Sequence, residues 1–153
     1  MRKFLALLAV LCLTASLASA QTQIQVKVET TSNLGLAPVI AGFSDGSFDI
    51  YTVGSPASAA LEEIAETGSP AGFAPPEGGP VFGNNPAPPI FTPGGMSSTV
   101  FNVSDGNGQF SMAAMLLPSN DWFVGRQNFD VSSLLNAPMG TSLTFDLMTV
   151  YDA

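Results

Sequence analysis

From Gln23 to Glu29 apolar and polar residues alternate without a break, with Ile24, Val26 and Val28 on one side and Gln23, Gln25, Lys27 and Glu29 on the other. A period of two marks a strand with one face buried and one in water. Thr30 to Gly35 reads as a turn, and Leu36 to Phe43 as a second apolar strand. Pro38 assigns that strand to an edge or a bulge, because proline cannot donate to a ladder. Ser44-Asp45-Gly46-Ser47 then turns the chain into a short strand over Phe48 to Val53.

The period changes at Ser55-Pro56. Serine suits a helix cap, proline suits the first helical position, and Gly68 supplies a stop. Ala57, Ala60, Leu61 and Ile64 form a stripe at helical spacing, leaving Glu62, Glu63 and Glu66 as a solvated face. From Gly68 to Gly95 the pattern dissolves into a long Pro/Gly loop holding eight of the twelve prolines. The spacing of these residues has no period, so neither collagen nor a repeat array fits.

Met96 to Val103 and Gln109 to Leu117 are expected to pair as a hairpin about Asp105-Gly106-Asn107-Gly108, whose glycines and asparagine suit a tight turn. That turn lacks the sixth-position glycine and closing glutamate of an EF-hand. Pro118 to Gly125 (Pro-Ser-Asn-Asp-Trp-Phe-Val-Gly) is a polar, aromatic loop fed by the most apolar run of the mature chain. Asn128 to Leu135 brings the chain back, residues 136–140 turn it, and Thr141 to Val150 is the last strand, with Leu143, Phe145 and Leu147 on one face. The expected fold class is therefore all-β: an antiparallel β-sandwich with one short helix and a long Pro/Gly-rich loop.

Composition narrows the function. Arg2 and Lys3, the apolar run Phe4 to Leu13 and the small residues Ala18-Ser19-Ala20 describe a cleavable export signal over residues 1–20, followed by one domain over residues 21–153. The apolar run is shorter than the ~20 residues a bilayer span needs, so a secreted or periplasmic protein without a transmembrane anchor is expected. Bulky Leu11 argues against lipid attachment at Cys12. That cysteine is the only one, so the mature domain holds no disulfide. The formal charge of −8 includes the two basic residues of the signal, leaving Lys27 and Arg126 as the only cations of the mature chain. Nucleic acid, which is gripped by many lysines and arginines, is excluded as a partner. A cation, a glycan or a protein surface remains. With no histidine and no mature cysteine, the usual nucleophilic and metal-hydrolase centres lack their central parts, so no enzyme is expected.

Strand direction brings two acids together. If Gln109 to Leu117 runs up, the next strand runs down and the last runs up, so Asp121 and Asp152 emerge at one end of the sandwich. Two carboxylates about 4 Å apart repel by about 4 kcal/mol at an effective dielectric near 20, which a shared cation removes. With oxygen donors only, the suitable ion is calcium, and Asn120 or loop carbonyls can complete its shell. Trp122 and Phe123 have two readings, as rings plugging the end of the sandwich or as contacts for a partner or ligand. The second reading gives an alternative function, a carbohydrate-binding sandwich that stacks sugars on these loop aromatics. Arg126 is expected to pair with a neighbouring carboxylate.

Several stretches together resemble the spondin domain, the N-terminal module of F-spondin and mindin that also occurs in bacterial exported proteins. They are Asp45-Gly46-Ser47-Phe48-Asp49-Ile50-Tyr51, then Val53-Gly54 with Ala57-Ser58 and the Leu61 to Glu66 helix, then Ser111 to Gly125, and finally Tyr151-Asp152-Ala153. The resemblance implies a C2-like antiparallel sandwich, calcium binding, and a role in cell or matrix adhesion. It also implies that Asp121 and Asp152 are metal ligands. The Gly-Thr and third acidic ligand that follow in the family are missing after Ala153, which suggests a bacterial member cut short at its C-terminus and a calcium affinity weaker than about 10⁻³ M.

Overall fold

A computed structural model describes residues 21–147 and 149–153. The export signal expected over residues 1–20 lies outside the described residues. Within them the elements run β1 (Gln21–Glu29), β2 (Gly35–Leu36), β3 (Val39–Ser44), α1 (Ala59–Thr67), β4 (Glu77–Val81), β5 (Met96–Ser104), β6 (Gln109–Leu117), β7 (Trp122–Asp130), α2 (Ser132–Leu135) and β8 (Val150–Asp152). Every strand pairing is antiparallel. β1 and β5 form a two-stranded sheet; the larger sheet has the order β4-β3-β6-β7-β8, with β2 added alongside β6. The all-β sandwich that the alternation predicts is therefore the observed fold.

The larger sheet is covered on both faces. Val39, Ala41 and Phe43 of β3, with Phe110, Met112, Ala114 and Leu116 of β6, meet Ile24, Val26 and Val28 of β1 and Phe101 and Val103 of β5. The opposite face carries Ile40, Ala113 and Phe123, which pack on Leu61, Ile64 and Ala65 of α1 and on Phe48 and Ile50. A strand buried on both sides needs apolar residues at every position. That explains why β3 and nearly all of β6 are buried without alternation, whereas β1, covered on one side only, alternates.

Several expectations change in detail, each for a physical reason. Pro38 does not place its strand at an edge: it falls in the break between β2 and β3, and β3 lies between β4 and β6. Residues 48–53 form no strand; the Gln127 side chain takes the place of a ladder partner, accepting from the Ile50 N–H at 3.0 Å and donating to the Phe48 carbonyl at 3.3 Å. α1 is capped by Ser58, whose hydroxyl accepts from the Leu61 N–H, while Ser55 and Pro56 stay outside the helix. Gly68 ends it with a left-handed φ of 72°, as predicted.

The Pro/Gly loop contributes an edge strand, β4, whose Pro80 lies where an edge tolerates a missing N–H. β5 and β6 are consecutive but make no hairpin, since β5 pairs with β1 and β6 with β3 and β7, so the 105–108 turn carries the chain from one sheet to the other. The return strand begins at Trp122 rather than Asn128, and Ser132–Leu135 is helical. Of the last expected strand, Val150 pairs with β7 together with Tyr151 and Asp152, while the described residues of 141–149 stand outside regular structure. No helix among the described residues is long and apolar enough to cross a membrane.

Candidate functional site at the sheet rim

The turn between β6 and β7 is short because one hydroxyl ties it. Ser119 Oγ donates to the Leu116 carbonyl at 2.6 Å and accepts from the Trp122 N–H at 3.2 Å, while the Ser119 N–H bonds the same Leu116 carbonyl. Asn120 and Asp121 project from this turn and are exposed. β7 then starts at Trp122, which lies directly across from Asp152 of β8, and the Ala153 N–H donates to the Asp121 carbonyl at 3.0 Å. Asp121 opens a descending strand and Asp152 closes an ascending one. The two acids predicted to meet are thus neighbours on adjacent strands at one end of the sheet.

They are one register step apart, Asp152 facing Trp122 and Asp121 facing Ala153. Successive side chains of a strand leave on opposite faces, so these two carboxylates start from opposite faces of the sheet at its end rather than stack on one face. Among the described residues no third histidine, cysteine, aspartate or glutamate joins them in a group of metal-binding kind.

The two aromatic residues of the turn divide their roles. Trp122 is 53% exposed, whereas Phe123 is 2% exposed and belongs to the core beneath α1. Phe123 is therefore not available as a partner or ligand contact, because the alternation that presents Trp122 at the rim sends its neighbour inward. A sugar platform built on both rings is ruled out by the same burial. What Phe123 does is hold β8: it stacks on Tyr151 at 5.2 Å, and Tyr51 closes the trio at 5.3 Å from Phe123 and 5.0 Å from Tyr151. Burial, and then a hydrogen bond with Tyr151, push the Tyr51 phenol well above its ordinary value, so it stays protonated. A strand of three residues is weak alone; this cluster fixes its backbone and with it Asp152.

Tyr51, Tyr151 and Ser119 are positioning residues that periodicity did not single out. Tyr51 had a visible signal, an aromatic residue closing the Asp45 to Tyr51 run that carried the family resemblance. Arg126 departs from expectation: among the described residues it makes no ion pair, and the guanidinium lies over Phe129 at 4.9 Å and Phe145 at 5.8 Å. Lys27 with Glu29, at 3.3 Å, is the ion pair found among the described residues.

A family model for the spondin N-terminal domain (Spondin_N) matches residues 27–153. Comparisons with curated proteins and with solved structures gave no match. The family match begins within β1 and runs through every later element, including the 118–125 segment and the Tyr-Asp-Ala run on which the resemblance was first noted. The chain belongs to the spondin N-terminal domain family.

Proposed function

We propose that this protein is an exported, non-enzymatic binding module of adhesion type, whose partner-facing rim is organised by a calcium ion between Asp121 and Asp152. Membership of the spondin N-terminal family supports the coarser part, an extracellular adhesion-type module. The observation that supports the finer part is the β7–β8 register with the Ala153 N–H on the Asp121 carbonyl, which brings the backbones of the two acids to one rim.

The donor chemistry fits a hard ion. The rim offers two exposed carboxylates, the Asn120 amide and turn carbonyls, all oxygen donors, and calcium takes 6–8 oxygens with water filling vacancies. Two carboxylates supply a low charge count for such a site, so the affinity expected is weaker than about 10⁻³ M. Asn120, Asp121 and Asp152 would hold the ion, and the ion would draw the turn and β8 together. Exposed Trp122 beside them gives a partner protein an aromatic anchor.

Calorimetry and thermal melts of the mature protein in calcium test the reading. Calcium at about 100 times its Kd is expected to add about 2.7 kcal/mol to stability. Asp121→Asn and Asp152→Asn are each expected to weaken binding by about tenfold or more, about 1.4 kcal/mol, with little change in the calcium-free melting temperature. A melt indifferent to calcium and an absent binding heat would remove the ion from the rim.

A further inference from the structure

β1 pairs with β5 along one side, and among the described residues no strand lies along the other. The Thr30 N–H bonds the Gly95 carbonyl at 3.0 Å, one step beyond the Glu29–Met96 pair in the same register. Bonded and non-bonded pairs alternate along an antiparallel ladder. Val28, Val26, Ile24 and Thr22 therefore turn their backbone groups to β5, and Gln21, Gln23, Gln25, Lys27 and Glu29 turn theirs away from it. Among the described residues no other backbone segment bonds those five.

An edge of this kind is a template for a further strand, which proteins guard with proline, a bulge or an inward charge. β4, the outer strand of the larger sheet, has Pro80 and two glycines of positive φ. β1 has none of these: its nine residues keep one unbroken register, and Lys27 and Glu29 are exposed on the outer face. Ile24 and Val26 on the inner face are only half-buried, so an added strand has apolar surface to cover. The strand also mirrors itself. Outward from Gln25, Ile24 answers Val26, Gln23 answers Lys27, Thr22 answers Val28 and Gln21 answers Glu29. Two copies paired antiparallel about Gln25 set Ile24 against Val26, and the amides of Gln23 and Gln21 against a lysine and a glutamate, which an amide's acceptor and donors suit. Centring on Lys27 instead would oppose two lysines, and a one-residue slip would put inner side chains on the outer face.

We propose that β1 is a self-association edge, where a second copy of this chain pairs antiparallel about Gln25 and the two ribbons become one four-stranded sheet in the order β5-β1-β1-β5. All nine residues of each strand overlap in this register, and about ten backbone hydrogen bonds form across the two-fold axis. A seam of one strand is small, below about 1,200 Å², and both copies are acidic, so half-association is expected near about 100 μM. The two-fold reverses the strands of one copy, which points the two 118–121 turns in opposite directions. Such a pair bridges two surfaces rather than gripping one twice. The association uses no rim residue and needs no cation.

The test is analytical ultracentrifugation of the mature protein in EDTA, from about 5 μM to about 1 mM. A shift from monomer to dimer is expected across that range. Gln25→Pro removes an N–H that points away from β5 and leaves the intramolecular ladder whole, so it should fold and weaken association about tenfold or more. The cysteine-free mature chain also allows single spin labels. Labels at Gln25→Cys should show strong dipolar broadening in the dimer, while those at Glu29→Cys lie about 27 Å apart. A protein that stays monomeric at the highest concentration overturns the proposal. So does a dimer that a folded Gln25→Pro leaves intact, or one whose Gln25→Cys labels are no closer than its Glu29→Cys labels. Amides of Gln23, Gln25 and Lys27 that exchange as slowly as those of Ile24 and Val26 in the dilute monomer would mean that the chain covers its own edge, which also overturns it. Should Gln25→Pro fail to fold, the label distances decide.

Discussion

Single side chains at the rim have separable jobs. Phe123 is buried and touches both tyrosines, so Phe123→Ala removes core volume and the support of β8 together. A loss of about 3–5 kcal/mol in urea unfolding is expected. Gly125 is needed for contact rather than for conformational freedom: a Cβ there would meet Tyr51 Cε1 at 2.8 Å and the Met112 carbonyl oxygen at 3.1 Å. Gly125→Ala is therefore expected to displace the Tyr51 ring, loosen β8 and lower the melting temperature, readable in the near-ultraviolet tyrosine signal. At this scale the sequence was informative about Asp121 and Asp152, which stand at one end of the sheet as expected, while Trp122 takes the exposed of its two readings. The sequence left the direction of both rings open because residues 118–125 read as one loop, and Phe123 takes the inward of the two readings. Once β7 is seen to begin at Trp122, period-two alternation sends the next ring inward without further information.

Secondary-structure elements were legible in proportion to how far local pattern decides them. β1 has one covered face and announces itself; α1 has an apolar stripe, a capping serine and a terminal glycine. β4 is the opposite case, since Gly78, Gly79 and Pro80 are poor strand residues recruited by the open edge of β3. Gly78, at a φ of +142°, lies against the Ala41 carbonyl, an approach that no larger residue permits. What makes β4 worth having is Glu77, which fastens the larger sheet to β5 by accepting from the Ser104 N–H at 2.8 Å and the Ser104 Oγ at 2.6 Å.

Burial of Glu77 opposes its charge, but the bonds from Ser104 and Asn107 outweigh it and hold the carboxyl below its ordinary value of 4.5. A lowered carboxylate stabilises the folded state fully above the unfolded value, and that contribution is lost as pH falls through the folded one. Glu77→Gln is thus expected to lower the melting temperature at pH 7, with the gap to the parent closing below about pH 4. A gap that stays constant with pH would mean that the clasp does not depend on the carboxylate charge.

For the whole molecule, the arrangement is three layers: the β1–β5 ribbon, the large sheet, and α1 with the 48–57 strap. The uninterrupted apolar character of β6 was visible in the sequence, but its cause was not, because two-sided burial depends on segments about 50 residues upstream and beyond. Ile64 is fully buried under the sheet, so Ile64→Ala is expected to cost about 2–5 kcal/mol. Since β3 and β6 link both cores, that loss should appear in one cooperative transition, with circular dichroism and Trp122 fluorescence melting together.

The partnership of β1 with β5 also sets a timetable. Gln21 is matched with Ser104, so β1 waits for a stretch made some eighty positions later. A chain threaded outward amino end first cannot close its smaller sheet until that stretch has emerged, and distant pairings of this kind are slow to form. During the delay the alternating apolar side of β1 stays open to other chains, a hazard of late-closing β topologies. Some two thirds of the chain, through Ser104, must therefore be available before the smaller sheet can close.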